Sequence, residues 1–273
     1  MGVAPPAVSV VIPCYGQAEY LGEAVESVVG QTYPDWEIVI VDDGSPDATA
    51  AVAHQLIARH PDRPIRLVRQ ANQGLPSARN SGIAASTGRY VLPLDADDVL
   101  LPEMLQKTVD VLDSDPGVAI AYTDYFRFGA DSRQVRTGPW SLDALAFSCQ
   151  LSGATLFRRD VWTTVGGYDA AMRGGYEDWD FWIGAAERGF VGRRIPEALF
   201  GYRIKPSSMV LDAIANDAQL RRQIARNHPG TYTPARRLRH WMRRTWNGAN
   251  RRVRWHAARL FRRLRGRQPH RGT

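Results

Sequence analysis

Apolar residues come in short unbroken runs separated by amphipathic stretches, and the two kinds alternate through the first hundred residues. Residues 8–13 (VSVVIP), 36–41 (WEIVIV), 65–70 (IRLVRQ) and 89–94 (RYVLPL) read as strands. The first of these is a continuous apolar run, as expected for a strand buried on both faces. Between them, residues 20–29 set Leu21, Ala24, Val25 and Val28 at helical spacing and stop at Gly30. Residues 47–59 place Ala50, Ala53, His54 and Ile57 on one stripe before Pro61, and 75–85 form a third helix. This alternation of strand and helix predicts a mostly parallel α/β sheet flanked by helices. The second half is less regular. It predicts a helix over 102–114, a strand over 118–125 and a short strand over 151–157. A glycine-rich loop then leads into a helix ending at Arg188, followed by two short strands, 192–196 and 198–204, and a helix over 211–228.

Polar residues crowd where the apolar runs stop. The fourth strand ends in Asp95-Ala96-Asp97-Asp98 and the second in Asp42-Asp43-Gly44-Ser45. Neighbouring carboxylates raise one another's pKa unless a cation compensates them, and a hard divalent ion with oxygen ligands is one such cation. A turn is the other reading, with Pro102 opening the next helix. Tyr15 follows the first strand, so three signals meet where parallel sheets bind ligands, beyond the carboxyl ends of their strands. No G-x-G-x-x-G follows the first strand and no G-x-x-x-x-G-K-[ST] occurs, which disfavours a dinucleotide fold and a P-loop ATPase.

Four fragments in this order and spacing carry a resemblance: VSVVIPCYGQAEYLGEAVESVVGQTY, EIVIVDDGSPDAT, NQGLPSARNSGIAASTGRYVLPLDADD and GGYEDWDFW. Over about residues 8–209 the chain resembles the inverting nucleotide-sugar glycosyltransferases of family 2, with the GT-A (nucleotide-diphospho-sugar transferase, Rossmann-like) fold. The resemblance implies that Pro13 and Tyr15 frame the nucleotide base, where an aromatic face stacks on a planar ring. It implies that Asp43, an acceptor-only carboxylate, takes a base N–H. Asp42 and Ser45 are alternatively caps for the helix starting near Asp47. Arg79 matches a basic residue near the nucleotide, its fork of donors suited to carboxylate or phosphate. Asp95-Ala96-Asp97 fits the D-x-D motif: Asp95 on ribose, Asp97 on a Mg²⁺ or Mn²⁺ bound to the diphosphate. Asp98 is expected in a supporting or capping position.

Glu177-Asp178 fits the family's acidic pair, with Asp178 as the general base; the competing reading is capping by acids at a helix N-terminus. Trp179 and Trp182 face a sugar or belong to the core. The implied reaction moves a sugar from a UDP-, GDP- or dTDP-linked donor to a hydroxyl of a glycan or lipid-linked acceptor, in cell-surface glycan or polysaccharide synthesis. A non-catalytic nucleotide- or glycan-binding protein of the same fold is the alternative.

Charge divides the chain. Its formal net charge is +7, yet residues 236–273 hold fourteen arginines and no acid, which leaves the rest at −7. Only Lys107 and Lys205 are lysines. Residues 1–230 are expected to form the glycosyltransferase domain and 231–273 an Arg-rich amphipathic helical tail. Arginine interleaved with tryptophan suits an anionic membrane surface; packing on a partner protein is the second reading, and nucleic acid is disfavoured without a recognised module. No run approaches the ~20 apolar residues of a spanning helix. Cys14 and Cys149 show no metal spacing. A cytoplasmic protein peripheral to the inner membrane face is therefore expected.

Overall fold

The computed structural model describes residues 6–149, 151, 153–205 and 209–233. Its four N-terminal strands are β1 (Val8–Cys14), β2 (Trp36–Asp42), β3 (Ile65–Arg69) and β4 (Tyr90–Pro93). They pair in parallel in the order β3-β2-β1-β4, with Val8 opposite both Trp36 and Tyr90. Every residue of β1, β2 and β4 is buried, which is why these runs show no polar alternation.

The crossovers are α1 (Ala18–Val29), α2 (Thr49–Arg59) and α3 (Leu75–Ala85). Leu21, Ala24, Val25 and Val28 of α1 are all buried; each Leu or Val so placed stabilises by about 1.5–3 kcal/mol. Helix α3 approaches the sheet more closely. A Cβ on Gly82 would lie 2.3 Å from Val11 Cγ1 and 2.9 Å from Val41 Cγ2, so only glycine fits at that crossing.

Beyond β4 the sheet becomes mixed. It continues through β5 (Val99–Leu100), β6 (Ile120–Gly129), β7 (Arg133–Val135), β8 (Leu156–Arg158) and β9 (Gly192–Ile204), giving the order β3-β2-β1-β4-β8-β6-β9-β5, with β7 on β6. Strand β8 is antiparallel to both β4 and β6, β9 parallel to β6, and β5 antiparallel to β9. The remaining helices are α4 (Met104–Ser114), α5 (Leu142–Leu145), α6 (Arg159–Val165), α7 (Glu177–Glu187), α8 (Met209–Ala215) and α9 (Asp217–Asn227).

Several expected boundaries are corrected. The two runs at 192–196 and 198–204 are one strand: Thr123 faces Ile195 and Asp124 faces Ala198, so Pro196 and Glu197 bulge out of the ladder. A bulge tolerates proline, which has no N–H to give. Asp124 fixes this bend, accepting from Thr137 N and Oγ1 and from Arg194 Nε and Nη2. The helix expected over 211–228 is two, α8 and α9, divided at Asn216. The strand expected over 151–157 narrows to β8, and α6 follows where no helix was expected.

Residues Met1–His228 form one compact unit and Pro229–Thr273 cluster separately. Most of the expected basic tail, from residue 234 onward, lies outside the described residues. Among the described residues, no helix is long and apolar enough to cross a membrane.

Candidate active site

The carboxyl ends of β1, β2 and β4 open on one edge of the sheet. Pro13 is buried within β1, and Tyr15, two residues on, is 51% exposed. Asp43 ends the β2 side of the edge and is spent on the loop after β3. Its Oδ1 accepts from Gln70 Nε2 at 2.7 Å and Gln73 N at 2.9 Å, and its Oδ2 from Gly74 N at 2.8 Å. A carboxylate has about four acceptor sites, so little remains free. Gly44 (φ +70) lets that loop close, since a Cβ there would sit 2.8 Å from Asn72 N.

The expected helix cap at Ser45 is not formed. Asp42 Oδ1 accepts from Ser45 N at 2.9 Å, which makes a local turn, and Ser45 Oγ accepts from Gly16 N at 3.1 Å. The N-cap of α2 is Ala48, which has no side-chain cap bond, while Asp47 Oδ1 accepts from Thr49 N and Oγ1 at the helix start. Asp42 Oδ2 also accepts from Arg69 Nε at 3.2 Å.

Each acid of the turn after β4 has its own positive or donor partner. Asp95 Oδ1 accepts from Arg79 Nη2 at 2.7 Å. Asp97 Oδ2 pairs with Lys205 Nζ at 2.6 Å. Asp98 is buried and accepts from Arg203 N at 2.8 Å. Burial, with Asp95 and Asp97 beside it, holds the Asp98 carboxyl well above the usual range. The two β9 residues arrive here because β9 runs antiparallel to β5, with Val99 opposite Gly201.

Arg79, on the buried side of α3, reaches further. Its Nη1 donates to Glu177 Oε1 at 2.5 Å while Nη2 holds Asp95. The guanidinium lies 5.5 Å from the centre of the Tyr168 ring, and its Nε is buried with no hydrogen-bond partner among the described residues. Burial opposes its charge, but Asp95 and Glu177 outweigh this and raise its pKa further. Arg79 thus joins the turn after β4 to the start of α7. Next to it on α3, Asn80 braces the same region: Oδ1 accepts from Trp162 Nε1 and Tyr168 N, and Nδ2 donates to Tyr168 O.

Two left-handed residues, Gly175 (φ +110) and Tyr176 (φ +65), turn the chain into α7. A positive φ at tyrosine is uncommon and marks a constrained position. The acids that follow divide their work. Glu177 is spent on Arg79. Asp180 Oδ1 accepts from Asn227 Nδ2 and is 3.1 Å from His228 Nε2. Asp178 accepts from the backbone N of Trp179, at 2.6 Å, and bonds no side chain among the described residues. Burial raises the pKa of Asp178, against the pull of Arg79, and pushes Glu177 up to about 7 against the same pull. Trp179 and Trp182 are both core residues. Trp179 donates Nε1 to Leu145 O, and Trp182 packs on Phe157 and Phe181.

The structure therefore brings Asp95, Arg79 and the Glu177-Asp178 pair together and places Asp97 and Asp98 on the same turn. Lys205, Arg203 and Asn80 also serve the site. Sequence reasoning singled out none of the three, although Asn80 lies within the quoted fragment that contains Arg79. Among the described residues, no three His, Cys, Asp or Glu side chains converge as a metal cage.

A profile described as Glycosyl transferase family 2 matches residues 9–167. The putative glycosyltransferase EpsE of Bacillus subtilis is 29% identical over 203 residues, covering 72% of this chain and 73% of that one. An uncharacterised glycosyltransferase of Nostoc is 47% identical over 115 residues, 42% of this chain and 35% of its own length. Chondroitin synthase of Escherichia coli is 29% identical over 188 residues, 67% of this chain but 27% of the synthase. Among solved structures, S. aureus TarS 1–349 superposes with a TM-score of 0.65 at 18% identity, covering 81% of this chain and 64% of that one. A mannosyltransferase of Pyrobaculum calidifontis, solved with GDP-Man and Mn²⁺, gives 0.60 at 20% identity, covering 80% and 65%. These likenesses bear out the GT-A fold expected from the sequence.

Proposed function

Because the chain belongs to glycosyl transferase family 2, we propose that it moves a sugar, with inversion, from a nucleoside-diphosphate donor to a hydroxyl of a glycan or lipid-linked acceptor. One observation carries this reading above the rest. Of the three acids that open α7, Asp178 alone is not spent on another side chain, and it stands beside the Arg79 link to the D-x-D turn. The names of two relatives support the substrate class: TarS has been solved with UDP-GlcNAc and the Pyrobaculum enzyme with GDP-Man.

In this mechanism Asp178 takes the proton from the acceptor hydroxyl as its oxygen attacks C1 of the sugar. The bond from C1 to the diphosphate oxygen breaks, and the electron pair leaves with the nucleoside diphosphate. A raised pKa suits this base, because proton transfer is most effective when the pKa approaches the working pH. Arg79 holds Glu177 away from the acceptor and fixes Asp95 toward the donor ribose. Tyr15 offers an exposed ring for the base, beside Pro13. Asp43 keeps the loop at 70–74 closed around the base edge.

Residues on this edge fit a divalent ion. Asp97 offers hard carboxylate oxygens, its side chain is part-exposed, and its partner is a lysine on a flexible stem. Mg²⁺ or Mn²⁺ characteristically takes one or two carboxylates and fills its shell with substrate phosphates and water. Bound there, the ion would neutralise the diphosphate leaving group. The Mn²⁺ in the Pyrobaculum complex supports the choice of ion.

The basic tail over 231–273 is read as a peripheral anchor on an anionic membrane surface, next to a lipid-linked acceptor. Thermal stabilisation by UDP-, GDP- and dTDP-sugars, each with and without Mn²⁺, tests the donor reading. Stabilisation by one nucleotide class that requires the ion is expected. A flat response to every donor would remove the reading.

A further inference from the structure

Lys205 is the residue that the sequence left without a task. It follows the last residue of β9, and its ammonium sits 2.6 Å from Asp97 Oδ2 with both side chains 15% exposed. It also lies 5.1 Å from the centre of the Tyr20 ring on α1. The strand end that carries it is firmly held. Arg203 N donates to Asp98 Oδ1, Arg203 Nε to the Asp97 carbonyl at 2.7 Å, and Arg203 Nη2 to Glu23 Oε2 at 2.6 Å. The guanidinium of Arg203 stacks over Phe128 and Tyr20. Lys205 is therefore delivered to Asp97 by the register of β9, and its own four-carbon stem is the adjustable part.

A lysine ammonium cannot ligate a metal, because all its electron pairs are used in N–H bonds. It occupies an oxygen of the carboxylate that the proposed function assigns to the ion. An ammonium and a divalent cation a few ångströms apart repel strongly in a partly buried site. Both cannot hold Asp97 closely. The ammonium does suit one newcomer to this edge, a diphosphate, which it binds as a compact point charge.

Resting on the proposed function, we propose that Lys205 is a resident counter-ion that keeps a bare metal ion off Asp97 and passes to the diphosphate when metal and nucleotide arrive together. The free protein then pays little for its crowded acids, since Asp95 has Arg79 and Asp97 has Lys205. Metal alone must displace an ion pair and leave the ammonium without a partner. Metal with a nucleoside diphosphate supplies that partner. Metal and nucleotide binding become strongly coupled, and the coupling is reciprocal. Apparent affinity for the bare ion is reduced by the fraction of molecules in which Asp97 is free.

The test is Mn²⁺ binding to the full chain, followed by calorimetry and by the paramagnetic resonance of free Mn²⁺, first without nucleotide and then with UDP or GDP. Lys205→Met should bind bare Mn²⁺ about tenfold more tightly than wild type, and should lose most of the gain that nucleotide brings. Lys205→Arg, which keeps the pair, and Arg69→Met, which removes a charge beside Asp42 instead, should bind bare Mn²⁺ as wild type does. If Lys205→Met misfolds by circular dichroism, Lys205→Gln carries the same expectation. A wild type that binds Mn²⁺ with nucleotide, beside a folded Lys205 variant with unchanged bare-ion affinity, overturns this inference alone. A wild type that binds no Mn²⁺ with either nucleotide overturns the metal reading and this inference together.

Discussion

Arg79 Nη1 lies 2.5 Å from Glu177 Oε1, across 98 positions of sequence. Both side chains are buried, and the second Nη of the same guanidinium holds Asp95. The half of the site built on the parallel strands and the half built on α7 are therefore tied by one cation. Removing one partner of a buried pair strands the other charge, at about 3–5 kcal/mol. Arg79→Met should lower unfolding free energy by about that much in urea titration, whereas Glu177→Gln, which keeps an acceptor oxygen, should cost clearly less. Equal losses for the two would mean that the pair is not the source of the cost.

As the proposed base, Asp178 must be ionised to accept a proton, and its carboxyl is raised above the ordinary aspartate range by burial, against the pull of Arg79. The rising limb of kcat/KM against pH should therefore lie above the ordinary aspartate value of about 4. A limb at or below that value would place the base elsewhere.

Gly82 lets α3 sit on β1 and β2 and so sets the depth of Arg79. In Gly82→Ala the new methyl meets Val11 and Val41 at 2.3 and 2.9 Å. Overpacking of this kind costs about 1–3 kcal/mol, more than alanine's helix preference returns. Denaturant midpoints should fall accordingly; an unchanged midpoint would show that the helix can shift without loss.

How much of this was legible beforehand follows from the range of each interaction. Strands β1, β2 and β4 and helices α1 to α3 are written locally, as apolar runs and helical stripes, and the acidic clusters after β2 and β4 mark the edge proposed as the site. The partners of those acids are not local. Nothing in the neighbourhood of Asp97 points to Lys205, and nothing near Arg79 points to Glu177. Residues 192–196 and 198–204 read as two strands because proline ends a run in sequence, yet proline can sit in a bulge of a single strand. Ser45 is a capping residue by type alone, yet the N-cap is Ala48 and the side-chain bond to the first turn of α2 comes from Asp47.

His228 ends α9 between Asp180 and Glu187 of α7, at 3.1 and 2.8 Å, with Asn227 bonded to the same Asp180 oxygen and Arg188 one turn beyond on Gly184 O. Burial works against the imidazolium, but the bonds to Asp180 and Glu187 prevail and raise its pKa above the ordinary value. A raised pKa in the folded state means that the folded state binds the proton more tightly. The stabilisation is therefore full below the unfolded value of about 6.5 and is lost as pH rises through the folded one. Wild type should lose stability over that window relative to His228→Gln; parallel profiles for the two would show that the histidine is not the linked group.

The central claim is that Asp178 is the base of a glycosyl transfer. Its most direct test is to compare wild type and Asp178→Asn for donor binding and for release of nucleoside diphosphate, with Mn²⁺ and whichever nucleotide sugar stabilises the wild type. Donor affinity within about twofold and turnover lowered by about 10²–10⁴ are predicted, the range that a general base supplies. An Asp178→Asn protein that binds the donor and turns it over at the wild-type rate would contradict the account.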